Sequence, residues 1–103
     1  MTFLIEQNKN KLIELCKKYK VTELNVFGSA VTDEFDEKTS DIDFLVQFDK
    51  SINPNRFDNF FALLDELKKL FGRDVDLVEP GGLRNPYLIQ KVNQTKRKVY
   101  AAS

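Results

Sequence analysis

The sequence contains no histidine. That absence removes Ser-His-Asp hydrolases, Cys-His nucleophiles, histidine-ligated zinc and histidine general bases together. Any catalysis must come from carboxylates, lysine, arginine, hydroxyls, backbone amides and a hard metal ion. Cysteine occurs once, at Cys16, so an internal disulfide is excluded and a reducing, cytoplasmic setting is expected. No apolar run approaches the length of a membrane span. Residues 1–10 mix Phe3, Leu4 and Ile5 with Glu6, Lys9 and Asn10, a pattern of neither a signal nor a transit peptide. Neither sign of charge dominates, with 16 basic and 16 acidic residues. That balance gives no reason to expect a nucleic-acid partner or an anionic membrane surface. A chain of 103 residues fits one compact domain, 1–103, with a modest core, so most apolar positions must serve packing.

What is present reads as alternating helices and short strands. Leu4, Ile5, Leu12, Leu15 and Cys16 predict an amphipathic helix over 2–19, with Thr2 as a cap and Cys16 as a small core residue. Leu24-Asn25-Val26-Phe27 predicts a strand ending at Gly28-Ser29. Residues 32–40, with five charges, predict a loop. In residues 41–48, Ile42, Phe44, Val46 and Phe48 alternate with Asp41, Asp43, Leu45 and Gln47, the clearest strand in the chain. After punctuation at 51–55, Phe57, Phe60, Phe61, Leu64, Leu67 and Leu70 trace a core-facing helical stripe that stops at Gly72. Val75-Asp76-Leu77-Val78 predicts a third strand, closed by Glu79-Pro80-Gly81-Gly82. A last helix is expected over 85–100, with Leu88, Ile89, Val92 and Val99 inward and Lys91, Lys96, Arg97 and Lys98 on a solvated face. The order implies an α/β (α+β) fold in which helices cover a short mixed sheet.

Three features of that pattern bear on chemistry. Gly28-Ser29 directly follows a strand, where backbone amides and a hydroxyl can approach phosphate oxygens; an ordinary turn is the plain alternative. Asp41 and Asp43 lie two apart on a strand, so both carboxylates point the same way. Aspartate is a poor strand residue, and two like charges on one face repel. Either the strand start is exposed to water or a cation sits between the pair. Asp76, on the polar side of the third strand, adds a third carboxylate. Magnesium prefers oxygen ligands and is usually held by a few carboxylates plus substrate phosphates. Asp74 is nearby but lies at the strand's edge.

Gly28-Ser29, then eleven residues with Asp41-Ile42-Asp43 following, then Val75-Asp76-Leu77-Val78, resembles the minimal nucleotidyltransferases of the DNA polymerase β-like superfamily. More narrowly, it resembles the MNT antitoxins that pair with HEPN toxins. The resemblance implies the small nucleotidyltransferase fold, ATP as substrate and two magnesium ions. It implies that Gly28 and Ser29 cradle the triphosphate, that Asp41 and Asp43 bind both metals, and that Asp76 binds one metal and helps deprotonate the attacking hydroxyl. The implied reaction is transfer of AMP to a hydroxyl of a partner protein, with a HEPN ribonuclease toxin as the expected partner. Two alternatives stand beside it. One is an antitoxin that neutralises its toxin by complex formation alone; the other is the catalytic subunit of a two-chain transferase acting on a small molecule or RNA. One departure stands out. Many relatives follow Gly-Ser with a run like Arg-Ala-Arg-Gly. Here Ala30-Val31-Thr32-Asp33 follows, and Asp33, Glu34, Asp36 and Glu37 add negative charge beside an anionic substrate.

Overall fold

A computed structural model describes residues 3–31, 41–52 and 55–102. Two short helices, α1 (Phe3–Gln7) and α2 (Lys9–Lys18), lead into strand β1 (Val21–Phe27) and a 3-10 turn at Gly28–Ala30. Strand β2 (Ile42–Phe48), a turn at Lys50–Ile52 and helix α3 (Arg56–Phe71) follow. Strand β3 (Val75–Val78), a turn at Pro80–Gly82, helix α4 (Pro86–Thr95) and strand β4 (Arg97–Ala101) complete the order. The four strands form one mixed sheet in the order β3-β2-β1-β4. β2 and β3 run parallel, while β1 is antiparallel to both β2 and β4.

The period-two pattern decides which face each strand residue joins. Leu24 and Val26 of β1, with Ile42, Phe44 and Val46 of β2, are fully buried in the main core with Ile5, Leu12, Cys16, Leu63 and Leu67 of the first three helices. Burying each such leucine contributes on the order of 2 kcal/mol. Cys16 lies within this core, and burial pushes its thiol up to about 12, so it is a packing residue. The opposite face is smaller. There Phe27, Leu45 and Val92 are buried, with Val78, Leu83 and Leu88 packed on them, so α4 and the segment leading into it cover this face.

Helix ends follow local chemistry. Gly72 adopts φ +64°, the left-handed conformation that suits glycine, and its N–H donates to the Lys68 carbonyl at 2.8 Å to end α3. Asn85 caps α4 by accepting from the Tyr87 N–H at 2.9 Å, and Pro86 fills the first turn.

The structure corrects the sequence reading at several points. The expected last helix ends at Thr95. Lys96 turns to φ −58°, ψ 139°, and 97–101 pair with β1 as an edge strand, which satisfies backbone groups that would otherwise face solvent. Val99 points inward, as expected, but from a strand. The helix expected over 2–19 is divided at Asn8, whose side chain bonds the Leu4 carbonyl at 2.9 Å. Phe57 and Phe61 are not core residues; each is 63% exposed. At 100° per residue, the stripe facing the sheet runs through Leu63, Leu67 and Phe71, with Phe60, Leu64 and Leu70 beside it, and Phe61 falls on its outer flank. The Thr2 cap, the loop at 32–40 and Asn53-Pro54 lie outside the described residues.

Candidate active site

The β2–β3 pairing sets the geometry. Asp43 and Asp76 are direct register partners on these parallel strands, and both point to the face that α4 covers. Asp43 is also the register partner of Phe27, the last residue of β1. Beside it sits Gly28, with φ +73°. A Cβ on Gly28 would come within 2.7 Å of Asp43 Oδ2. Glycine is therefore required twice, once for backbone conformation and once for room.

The Gly28 N–H does not face an open cleft. It donates to Thr95 Oγ1 at 2.8 Å, and that hydroxyl in turn donates to the Lys91 carbonyl at 2.6 Å. Gly28 thus brings an absent side chain and a fixed turn to the site, with its own amide already used. Ser29 follows it, half-buried, inside the Gly28–Ala30 turn.

Asp43 is a strained acid. Burial raises its pKa to about 6, and a side-chain hydrogen bond and like charge from Asp76 push the same way. Asp41 adds a smaller push, while the Lys91 ammonium pulls the value down. Asp76 and Asp41 are exposed, and Asp41 precedes the first residue of β2. The structure therefore brings Asp43 and Asp76 into contact and sets Asp41 close enough for its charge to be felt. Among the described residues, no three acidic or cysteine side chains are disposed to hold a metal ion as they stand.

Even so, the Asp43–Asp76 pair fits a hard divalent cation. Its donors are all oxygen, and the two carboxyls are register partners whose mutual repulsion a cation would relieve. Two carboxylates are also the usual protein share of a magnesium site, with substrate phosphates supplying the rest.

The chain matches the nucleotidyltransferase domain family over residues 9–99. The chain belongs to this family. It is 42% identical over 86 residues to a candidate protein adenylyltransferase of Methanocaldococcus jannaschii, covering 84% of this chain and 83% of the relative. Among solved structures, a candidate minimal nucleotidyltransferase matches with a TM-score of 0.71 and 26% identity, covering 90% of each chain. A chain of the complex between a tri-AMPylated Shewanella oneidensis HEPN toxin and MNT antitoxin matches with a TM-score of 0.61 and 23% identity. It covers 94% of this chain and 72% of that one, a likeness of fold. The small mixed sheet flanked by helices is the minimal nucleotidyltransferase fold.

Sequence reasoning left one side of this nucleotidyltransferase site unread. Lys91 is exposed, as its solvated face implies, but it also extends along Gly28: its Cε and Nζ would lie 3.0 and 3.4 Å from a Cβ there. Thr95, its partner one helical turn on, was not singled out at all. Their i, i+4 spacing places both on one side of α4, but only the packing of α4 onto β1 and β2 shows which side meets Gly28.

Proposed function

We propose that this nucleotidyltransferase transfers AMP from ATP to a hydroxyl of a partner protein, and that the partner is a HEPN-type ribonuclease toxin which the transfer silences. The observation that carries this reading is the paired Asp43 and Asp76 beside the Gly28 turn, an arrangement costly for the fold and suited to a metal-bound nucleotide. The 42% identity to a candidate protein adenylyltransferase supports a protein acceptor, and the HEPN complex of the structural relative supports the class of partner.

In this reading, Asp41, Asp43 and Asp76 hold magnesium, and Gly28 and Ser29 receive the triphosphate. Magnesium, when bound, neutralises phosphate charge during the displacement. Asp76, exposed on its strand, accepts the proton of the acceptor hydroxyl. That oxygen bonds to the α-phosphorus, the bond from phosphorus to the β-phosphate oxygen breaks, and pyrophosphate leaves. Gly28 keeps the approach open because a side chain there would fill it.

A second reading, neutralisation by binding alone, draws support from one observation: the three carboxylates are not gathered into a closed metal-binding group. The two readings separate in a toxin-inhibition assay with the neighbouring gene's product as partner. The transfer reading requires ATP, and it requires that Asp41→Asn/Asp43→Asn bind the partner yet fail to silence it. Silencing by that variant, or without ATP, would favour binding alone.

A further inference from the structure

A triphosphate entering this site meets the carboxylates of Asp41, Asp43 and Asp76. Such a cleft repels its own substrate unless a cation offsets the charge. The Lys91 ammonium acts on Asp43 and opposes the push of the neighbouring carboxylates. It reaches the site by position as well as by charge. Its Cε and Nζ lie 3.0 and 3.4 Å from the point where a Gly28 Cβ would stand, and Asp43 Oδ2 lies 2.7 Å from the same point. Lys91 Nζ and Asp43 nevertheless form no ion pair within 4.0 Å. A carboxylate and an ammonium thus wall the space above a glycine without closing on each other.

The placement of Lys91 is fixed from behind. Its carbonyl accepts from Thr95 Oγ1, and that hydroxyl accepts from the Gly28 N–H. Thr95 therefore ties the helix turn that bears Lys91 to the glycine turn. Val92, the residue after Lys91, is buried against the sheet and anchors α4 there. Lys91 is therefore exposed at its side chain but held at its backbone beside the glycine turn.

We propose that Lys91 is a phosphate-binding residue of this site: its ammonium, standing with Asp43 beside Gly28, takes oxygens of the nucleotide's polyphosphate. The assignment rests on the transfer reading for its substrate class. It differs from it in naming an α4 cation as the group that offsets the acidic cleft.

Equilibrium binding of Mg-ATP tests this without requiring turnover. Wild type, Lys91→Met and Lys91→Arg are compared by calorimetry, with thermal unfolding as the check on folding. Loss of a charge-assisted contact predicts about 10- to 100-fold weaker binding for Lys91→Met. Lys91→Arg, which keeps the charge, is expected to retain most of the affinity, and the salt dependence of binding is expected to be shallower for Lys91→Met. Wild type and Lys91→Met binding Mg-ATP equally would overturn the role of Lys91 while leaving the transfer reading intact. Wild type failing to bind Mg-ATP would overturn both.

Discussion

Asp43 and Asp76 sit opposite each other on the parallel strands β2 and β3, and Asp76 helps to raise the pKa of Asp43. Side by side, they place two acidic groups where one is partly buried. Stability is given up locally, and under the proposed function the gain lies in what the pair binds.

The first prediction concerns pH. With a chelator present, Asp43 binds its proton more tightly in the folded chain, with a pKa of about 6 against an ordinary 3.8. Its contribution therefore favours the fold below pH 3.8 and declines as pH rises through that window. Above pH 6, Asp43→Asn is expected to be more stable than wild type by about 1 kcal/mol, allowing for solvent screening. Urea midpoints at pH 5 and pH 8 check this: the gap between the proteins should widen at the higher pH. A gap that narrows would contradict the assigned strain.

Gly28→Ala combines a positive φ with a Cβ 2.7 Å from Asp43 Oδ2. The backbone cost alone is about 1–2 kcal/mol. Activity should fall much further than stability, because the methyl group also occupies the space between Asp43 and Lys91. Label-transfer rates measured beside urea midpoints separate the two effects.

Thr95→Val keeps the shape of the side chain and removes the hydroxyl. The Gly28 N–H then loses its acceptor, at a cost of about 1–3 kcal/mol. Thr95→Ser keeps the oxygen and should recover most of that loss. Thermal unfolding of the two variants is the measurement, and equal stability would contradict the tie between α4 and the glycine turn.

On α3, the core side and the outer side should respond differently. Leu63 is fully buried, and Leu63→Ala is expected to cost about 2–5 kcal/mol. Phe61 is mostly exposed, and Phe61→Ala should stay within about 0.5 kcal/mol of wild type.

Strands β1, β2 and β3 and the acidic positions were legible because their signals are local. The alternation of Ile42, Phe44, Val46 and Phe48 assigns Asp43 to the opposite face, and Val75 and Leu77 do the same for Asp76. Gly72 marked the end of α3 because only the left-handed turn explains a glycine there. The rest depended on tertiary contacts. No glycine or proline falls within residues 87–101, and Val99 and Tyr100 suit a helix or a strand equally well until the edge of β1 offers pairing. Phe57 and Phe61 match a helical period, but the sheet covers only one side of that helix. Lys91 was visible as charge alone; its position against Gly28 follows from how α4 packs.

The most direct test uses ATP labelled on either the α- or the γ-phosphate, with magnesium, this protein and the product of its neighbouring gene. Transfer of AMP predicts that the α-label moves to the partner and the γ-label does not, and that Asp43→Asn abolishes the transfer. Label on the partner from the γ-phosphate, or α-label transfer undiminished in Asp43→Asn, would contradict the assignment of this site.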